Sequence, residues 1–173
     1  MTTEFESVLL SFYKPDMIAY VNNHPEVFEE AILLAVSNKQ PFSWRAAWLL
    51  SICMEENDTR FQAYTELIIN SLADKTDGHQ RELLKILLKM ELNEDHQGLL
   101  FDFCVNLWKD IYKQPSVRST ALKIIVKITR EYPDLTKEVL LITKGQYLNT
   151  LSPAIKKSVP KILKELVQKS QNM

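Results

Sequence analysis

The sequence predicts an all-α fold built from successive helical hairpins, and three observations carry that prediction. Apolar residues recur at helical period along every long segment. No segment of useful length alternates apolar and polar residues with β-branched enrichment, so no sheet is expected. A basic residue in a fixed apolar frame returns at strides of 36, 37 and 38 residues. The 173 residues, 46% hydrophobic and 25% charged, suffice for one domain with a sizeable core and exclude wholesale disorder. Only three Gly are present, which argues against Gly-rich β turns and against a phosphate-cradling loop.

Taken in order, the elements are helices over 5–12, 15–23, 26–37, 42–56, 60–73, 79–91, 97–113, 116–131, 135–148 and 153–169. His24-Pro25-Glu26 ends the second and opens the third with an acidic first turn, because a residue before proline leaves the helical region. Pro41-Phe42-Ser43 supplies a turn and a capping hydroxyl for the fourth. Residues 44–54, 83–90 and 99–108 are apolar around most of their girth, as helices between neighbours should be. Pro115-Ser116 opens 116–131, where Val117, Ala121, Ile124, Ile125 and Ile128 make one stripe opposite Thr120, Lys123, Lys127 and Arg130. Tyr132-Pro133-Asp134 separates it from 135–148. Ser152-Pro153 caps the last helix, whose stripe is Ile155, Val159, Ile162, Leu163, Leu166 and Val167. Pro160 inside it removes one backbone bond and should kink it, and Ser170–Met173 should fray. Connections of two to six residues make consecutive helices antiparallel neighbours.

Four segments align without gaps: residues 44–52, 80–88, 117–125 and 155–163. Each places a basic residue second, at Arg45, Arg81, Arg118 and Lys156. Apolar residues follow three positions later (Trp48, Leu84, Ala121, Val159) and four beyond that (Ile52, Leu88, Ile125, Leu163). This pattern resembles the second helix of the HEAT-repeat, armadillo-type family, Val-Arg-x-x-Ala-x-x-x-Leu after a capping Asp or Ser. Ser116-Val117-Arg118-x-x-Ala121-x-x-x-Ile125 matches it best; Arg81 lacks the preceding Val, and Lys156 stands where the family has Arg. The resemblance implies a single HEAT-like domain over 1–173, a right-handed α-α superhelix of about four hairpins (24–57, 58–92, 95–132, 133–169) plus an N-terminal helix pair. It implies that first helices line a convex side and second helices a concave one, each pair closing its neighbour's apolar flank. Arg45, Arg81, Arg118 and Lys156 are then structural repeat positions, with Arg45 and Arg118 bonding helix-end carbonyls between repeats.

No catalytic constellation is expected. His24, His79 and His96 lie at turns or helix starts, have no metal-spaced partner and read as surface residues. Cys53 and Cys104 sit in apolar surroundings and read as reduced core residues of an intracellular, cytoplasmic protein. The adjacent acid pairs Glu29-Glu30, Glu55-Glu56 and Glu94-Asp95 point in different directions, which suits solvation or capping rather than general acid–base work. No run approaches the roughly 20 apolar residues that span a bilayer, and the opening Met-Thr-Thr-Glu-Phe-Glu lacks the character of a secretory signal. No enzyme, cofactor or metal is therefore expected. Trp44 and Trp48 share one helical face beside Arg45. The HEAT-like alkylpurine DNA glycosylases pair concave aromatics with an Asp, but no Asp lies on a second helix near these tryptophans, so core packing is the favoured role.

Charge is unevenly spread. Residues 1–112 hold 9 Lys and Arg against 18 Asp and Glu; residues 113–173 hold 12 against 4. Lys123, Lys127, Arg130, Lys157 and Lys161 fall on the polar sides of the last two second helices and form the candidate partner-binding ridge. The expected function is a protein-interaction scaffold that holds a protein or peptide on its concave face. The alternative is nucleic-acid binding through the same ridge, weakened by the absence of interleaved aromatics. Salt-sensitive self-association, acidic end to basic end, is a further expectation.

Overall fold

The computed structural model describes residues 1–171, and every regular element among them is a helix. The chain divides into two compact units, Met1–Leu92 and Asn93–Met173.

The first unit contains α1 (Glu4–Ser11), α2 (Lys14–Asn23), α3 (Phe28–Val36), α4 (Phe42–Cys53), α5 (Thr65–Ser71) and α6 (Asp77–Lys89). Thr3 and Glu6 form a reciprocal capping box at the start of α1, satisfying donors that the first turn cannot. A single 3₁₀ turn at Pro25–Val27 leads into α3, where proline's missing N–H costs nothing. Further 3₁₀ segments, Thr59–Tyr64 and Leu72–Asp74, flank α5. α4 packs against α1, α2, α3 and α6, and α3 packs against α5. Hairpin α3–α4 therefore lies beside hairpin α5–α6, first helix on first and second on second. Ala46 and Ala47 let the backbones approach, while Leu49, Leu50, Ile32, Leu83 and Leu84 fill the seam and are almost wholly buried. Each such leucine contributes about 1.5–3 kcal/mol relative to exposure.

The second unit contains α7 (Glu94–Lys109), α8 (Pro115–Glu131), α9 (Thr136–Ile142), α10 (Gln146–Asn149) and α11 (Pro153–Gln171). The Asn93 carboxamide oxygen caps α7 by accepting from the His96 N–H at 2.8 Å. The Ser152 hydroxyl accepts from the Ile155 N–H at 3.4 Å at the start of α11. α8 packs against α7, α9 and α11, and α9 packs against α11. Eleven of the 17 residues of α8 are buried, so this helix is the unit's core.

The all-α, repeat-built fold read from the sequence is the one observed. Details differ for physical reasons. The expected helix 135–148 is broken: Gly145 adopts φ 58° and ψ −130°, outside any helical region, and splits it into α9 and α10. α4 ends at Cys53 because Met54 is extended, and 110–113 leave α7 as a turn closed by Lys113 N–H to Asp110 O at 3.2 Å. α7 is not covered all round: the apolar Leu99 is 55% exposed. Thr120, expected on the polar side of α8, is buried, and its hydroxyl donates to Ser116 O at 3.1 Å. α11 runs on past Pro160 to Gln171; of the tail expected to fray, Ser170 and Gln171 are helical, and Asn172 and Met173 lie outside the described residues.

Candidate functional site

The lysine ridge lies in the second unit, on α8 and α11. With most of α8 buried, its open side is left to Lys123, Lys127 and Arg130, spaced i, i+4, i+7. Lys123 and Arg130 are exposed and Lys127 is half-buried. On α11, Val159, Leu163 and Leu166 are buried, while Lys157 and Lys161 are exposed. Arg130 Nε meets Glu165 Oε2 at 2.8 Å, tying the end of the α8 stripe to α11. Both partners are about half exposed, so the pair stabilises little but neutralises Arg130. Lys123, Lys157 and Lys161 are the exposed lysines of the ridge, and Lys127 lies half-buried between Lys123 and Arg130.

The four repeat positions do different things. In the first unit, Arg45 on α4 donates from Nη1 to Leu9 O, in the last turn of α1, at 2.6 Å. Its Nε is buried without a hydrogen-bond partner. Arg81 pairs with the fully buried Glu82 carboxylate at 2.8 Å, and Lys85 joins the same carboxylate at 3.0 Å. Ser51 Oγ of α4 donates to Trp48 O at 2.8 Å and lies 3.4 Å from Glu82 Oε2 of α6. In the second unit, Arg118 is fully buried. Its Nε donates to Trp108 O at 2.9 Å, Nη1 to Thr150 Oγ1 at 2.9 Å and Nη2 to Tyr147 O at 2.5 Å. The guanidinium also lies 5.0 Å from the centre of the Trp108 ring. Burial holds its pKa below the ordinary arginine value, against the opposing pull of Asp110. Lys156 departs from the pattern: it is exposed and lines an open groove.

That groove was not legible in the sequence. It has a volume of 490 Å³ and runs between α11 and the α9–α10 corner. Val159, Pro160, Leu163 and Val167 form its floor, with Lys156 and Lys164 beside them. The only advance signal was the i, i+4, i+8 spacing of Lys156, Pro160 and Lys164 around the same apolar stripe. Trp44 and Trp48 are half-buried and line a cleft of 210 Å³ with Met17 and Arg45. Lys14 Nζ sits 6.0 Å from the Trp48 ring centre. The tryptophans therefore serve partly as a cleft wall rather than wholly as core.

His79, expected at the surface, is fully buried. Nε2–H donates to Ala35 O at 2.7 Å, and Nδ1 accepts from the Gln40 side-chain amide at 3.2 Å. This is the neutral tautomer's pattern, and burial pushes the pKa below 6.5. His24 stacks on Tyr20, and its Nδ1–H donates to Glu26 Oε1 at 2.8 Å. Burial raises both thiol pKa values, most strongly for Cys104, which leaves them unreactive thiols. Among the described residues no group of three or more His, Cys, Asp and Glu is placed to hold a metal ion. No helix among them is long and apolar enough to cross a membrane.

Comparison with known proteins agrees with this architecture. No curated protein and no solved structure gave a significant match. A family profile described as a HEAT repeat domain matches residues 14–166, through both units and all four basic repeat positions. Such repeats generally mediate protein–protein interaction and are typically non-enzymatic. With stacked hairpins, a buried arginine binding helix-end carbonyls and a match over most of its length, the chain belongs to the HEAT repeat family.

Proposed function

We propose that the protein is a non-enzymatic interaction scaffold that binds an acidic segment of a partner protein through the second-helix face of its C-terminal unit. HEAT repeats generally mediate protein–protein interaction, which supports an interaction role for this face. The observation that carries the reading is the run of Lys123, Lys127 and Arg130 along the open side of α8, with the exposed Lys157 and Lys161 on α11. If α8 and α11 run in the same direction, as second helices of neighbouring hairpins do, the 130–165 register sets Lys123 and Lys127 alongside Lys157 and Lys161. Four ammonium groups on two rigid helices offer a preorganised line of donors for carboxylates.

The same stripe underlies the nucleic-acid reading. α8 and α11 contain no aromatic residue on which bases could stack, which favours the protein partner. Calorimetric titration with a Glu/Asp-rich peptide of about 15 residues, matched to a helix of about 22 Å, tests the assignment. Binding should weaken steeply with salt and be lost in Lys123→Glu with Lys127→Glu, whose thermal melt should match the parent. Peptide binding that survives both substitutions would remove the site. Salt-sensitive retardation of duplex DNA, with no peptide binding, would favour the alternative partner.

A further inference from the structure

We propose that the C-terminal groove of one copy receives the N-terminal edge of a second copy, giving a head-to-tail assembly. The hairpin that ends in α11 opens a 490 Å³ groove floored by Val159, Leu163 and Val167, with no carboxylate in its lining. Lys156 and Lys164 supply positive charge on its walls.

The opposite end of the chain carries the complementary features. A cleft of 390 Å³ lies along α2, lined in part by Phe12, Tyr13, Asp16 and Tyr20. Phe12 and Tyr13 are 45% and 82% exposed, an unusual placement for two adjacent aromatics. Asp16 lies in the lining, and Glu26 binds His24 at its edge. The negative field there is visible on Tyr20, whose hydroxyl is pushed above its ordinary pKa first by burial and then by Glu4, Glu26 and Glu30. The units share this polarity: Met1–Leu92 holds 8 Lys and Arg against 14 Asp and Glu, and the remainder holds 13 against 8. An apolar groove with basic walls and an exposed aromatic edge with carboxylates beside it make a heterologous contact, in which different patches meet. The aromatic edge supplies apolar area to the groove, and Asp16 and Glu26 face Lys156 and Lys164.

Sedimentation velocity on the full chain tests this over a concentration series. Wild type should associate at low salt. The association should weaken about tenfold or more as the screening length falls from about 30 Å at 0.01 M to about 8 Å at 0.15 M. Lys156→Glu with Lys164→Glu should be monomeric, as should Asp16→Lys with Glu26→Lys. An equimolar mixture of the two variants should associate again, because the unaltered acidic edge of one meets the unaltered basic groove of the other. Lys123→Glu with Lys127→Glu should associate as wild type does, which separates this contact from partner binding. The neutral pair Lys156→Gln with Lys164→Gln, checked by thermal melting, replaces any charge-reversed form that fails to fold and should be weakened. A wild type that stays monomeric at low salt, or variants that associate as wild type does, would overturn the proposal.

Discussion

Arg118 shows how one side chain can hold a repeat together. Its guanidinium satisfies Trp108 O and Tyr147 O, carbonyls near the ends of two other helices, and a hydroxyl on Thr150. Arg118→Ala strands those acceptors in a buried site. Leaving one such group unsatisfied costs about 1–3 kcal/mol, so thermal melting should drop by several degrees while acidic-peptide affinity holds. Arg118→Lys should recover little, since an ammonium cannot reproduce the planar fork. An unchanged melting temperature in Arg118→Ala would contradict this role. His79 gives a pH signature. It is neutral when folded, and its pKa is pushed below 6.5. The unfolded chain therefore takes up the proton first, and stability should be full above about pH 6.5 and fall as pH drops toward the folded value. His79→Gln should flatten that slope in urea titrations between about pH 5 and 7; an unaltered slope would rule out His79 as its source. The burial of His79 could not be read from local sequence. It depends on Ala35 O, 44 residues upstream, being presented at the end of α3.

At the scale of elements, periodicity carried most of the information. α8 and α11 were legible because Val117-Ala121-Ile124-Ile125-Ile128 and Val159-Ile162-Leu163-Leu166 repeat at 3.6 residues, whatever packs against them. The break at Gly145 was less so, because one glycine within an apolar pattern is compatible with either a helix or its end. Its φ of 58° makes the break testable: no neighbour lies within 4 Å of an added Cβ, so Gly145→Ala would add backbone strain alone. A loss of about 1–3 kcal/mol in chemical denaturation is expected; a neutral effect would mean the α9–α10 turn tolerates a side chain. Inside α8, Ile125 is fully buried. Ile125→Ala should cost about 2–5 kcal/mol, enough to destabilise the second unit well before its lysines are affected. The groove on α11 escaped notice because exposure of an apolar stripe depends on which helix covers it, which periodicity does not encode.

For the whole molecule, the near-zero formal charge of −1 conceals an acidic N-terminal and a basic C-terminal unit. That asymmetry, visible in the sequence, says that association should be salt-sensitive without saying where partners bind. The repeat stride showed the fold because stacked hairpins reuse one pattern of burial. The candidate site was only partly legible: the lysines could be placed on helices, but the Arg130–Glu165 pair joins residues 35 apart and needed the packed structure to appear. The most direct measurement is a titration of ¹⁵N-labelled protein with the acidic peptide, followed by amide chemical shifts. Shifts should concentrate at Lys123, Lys127, Lys157 and Lys161 and vanish with added salt. Shifts centred on Trp44 and Trp48, or none at low salt, would contradict the account.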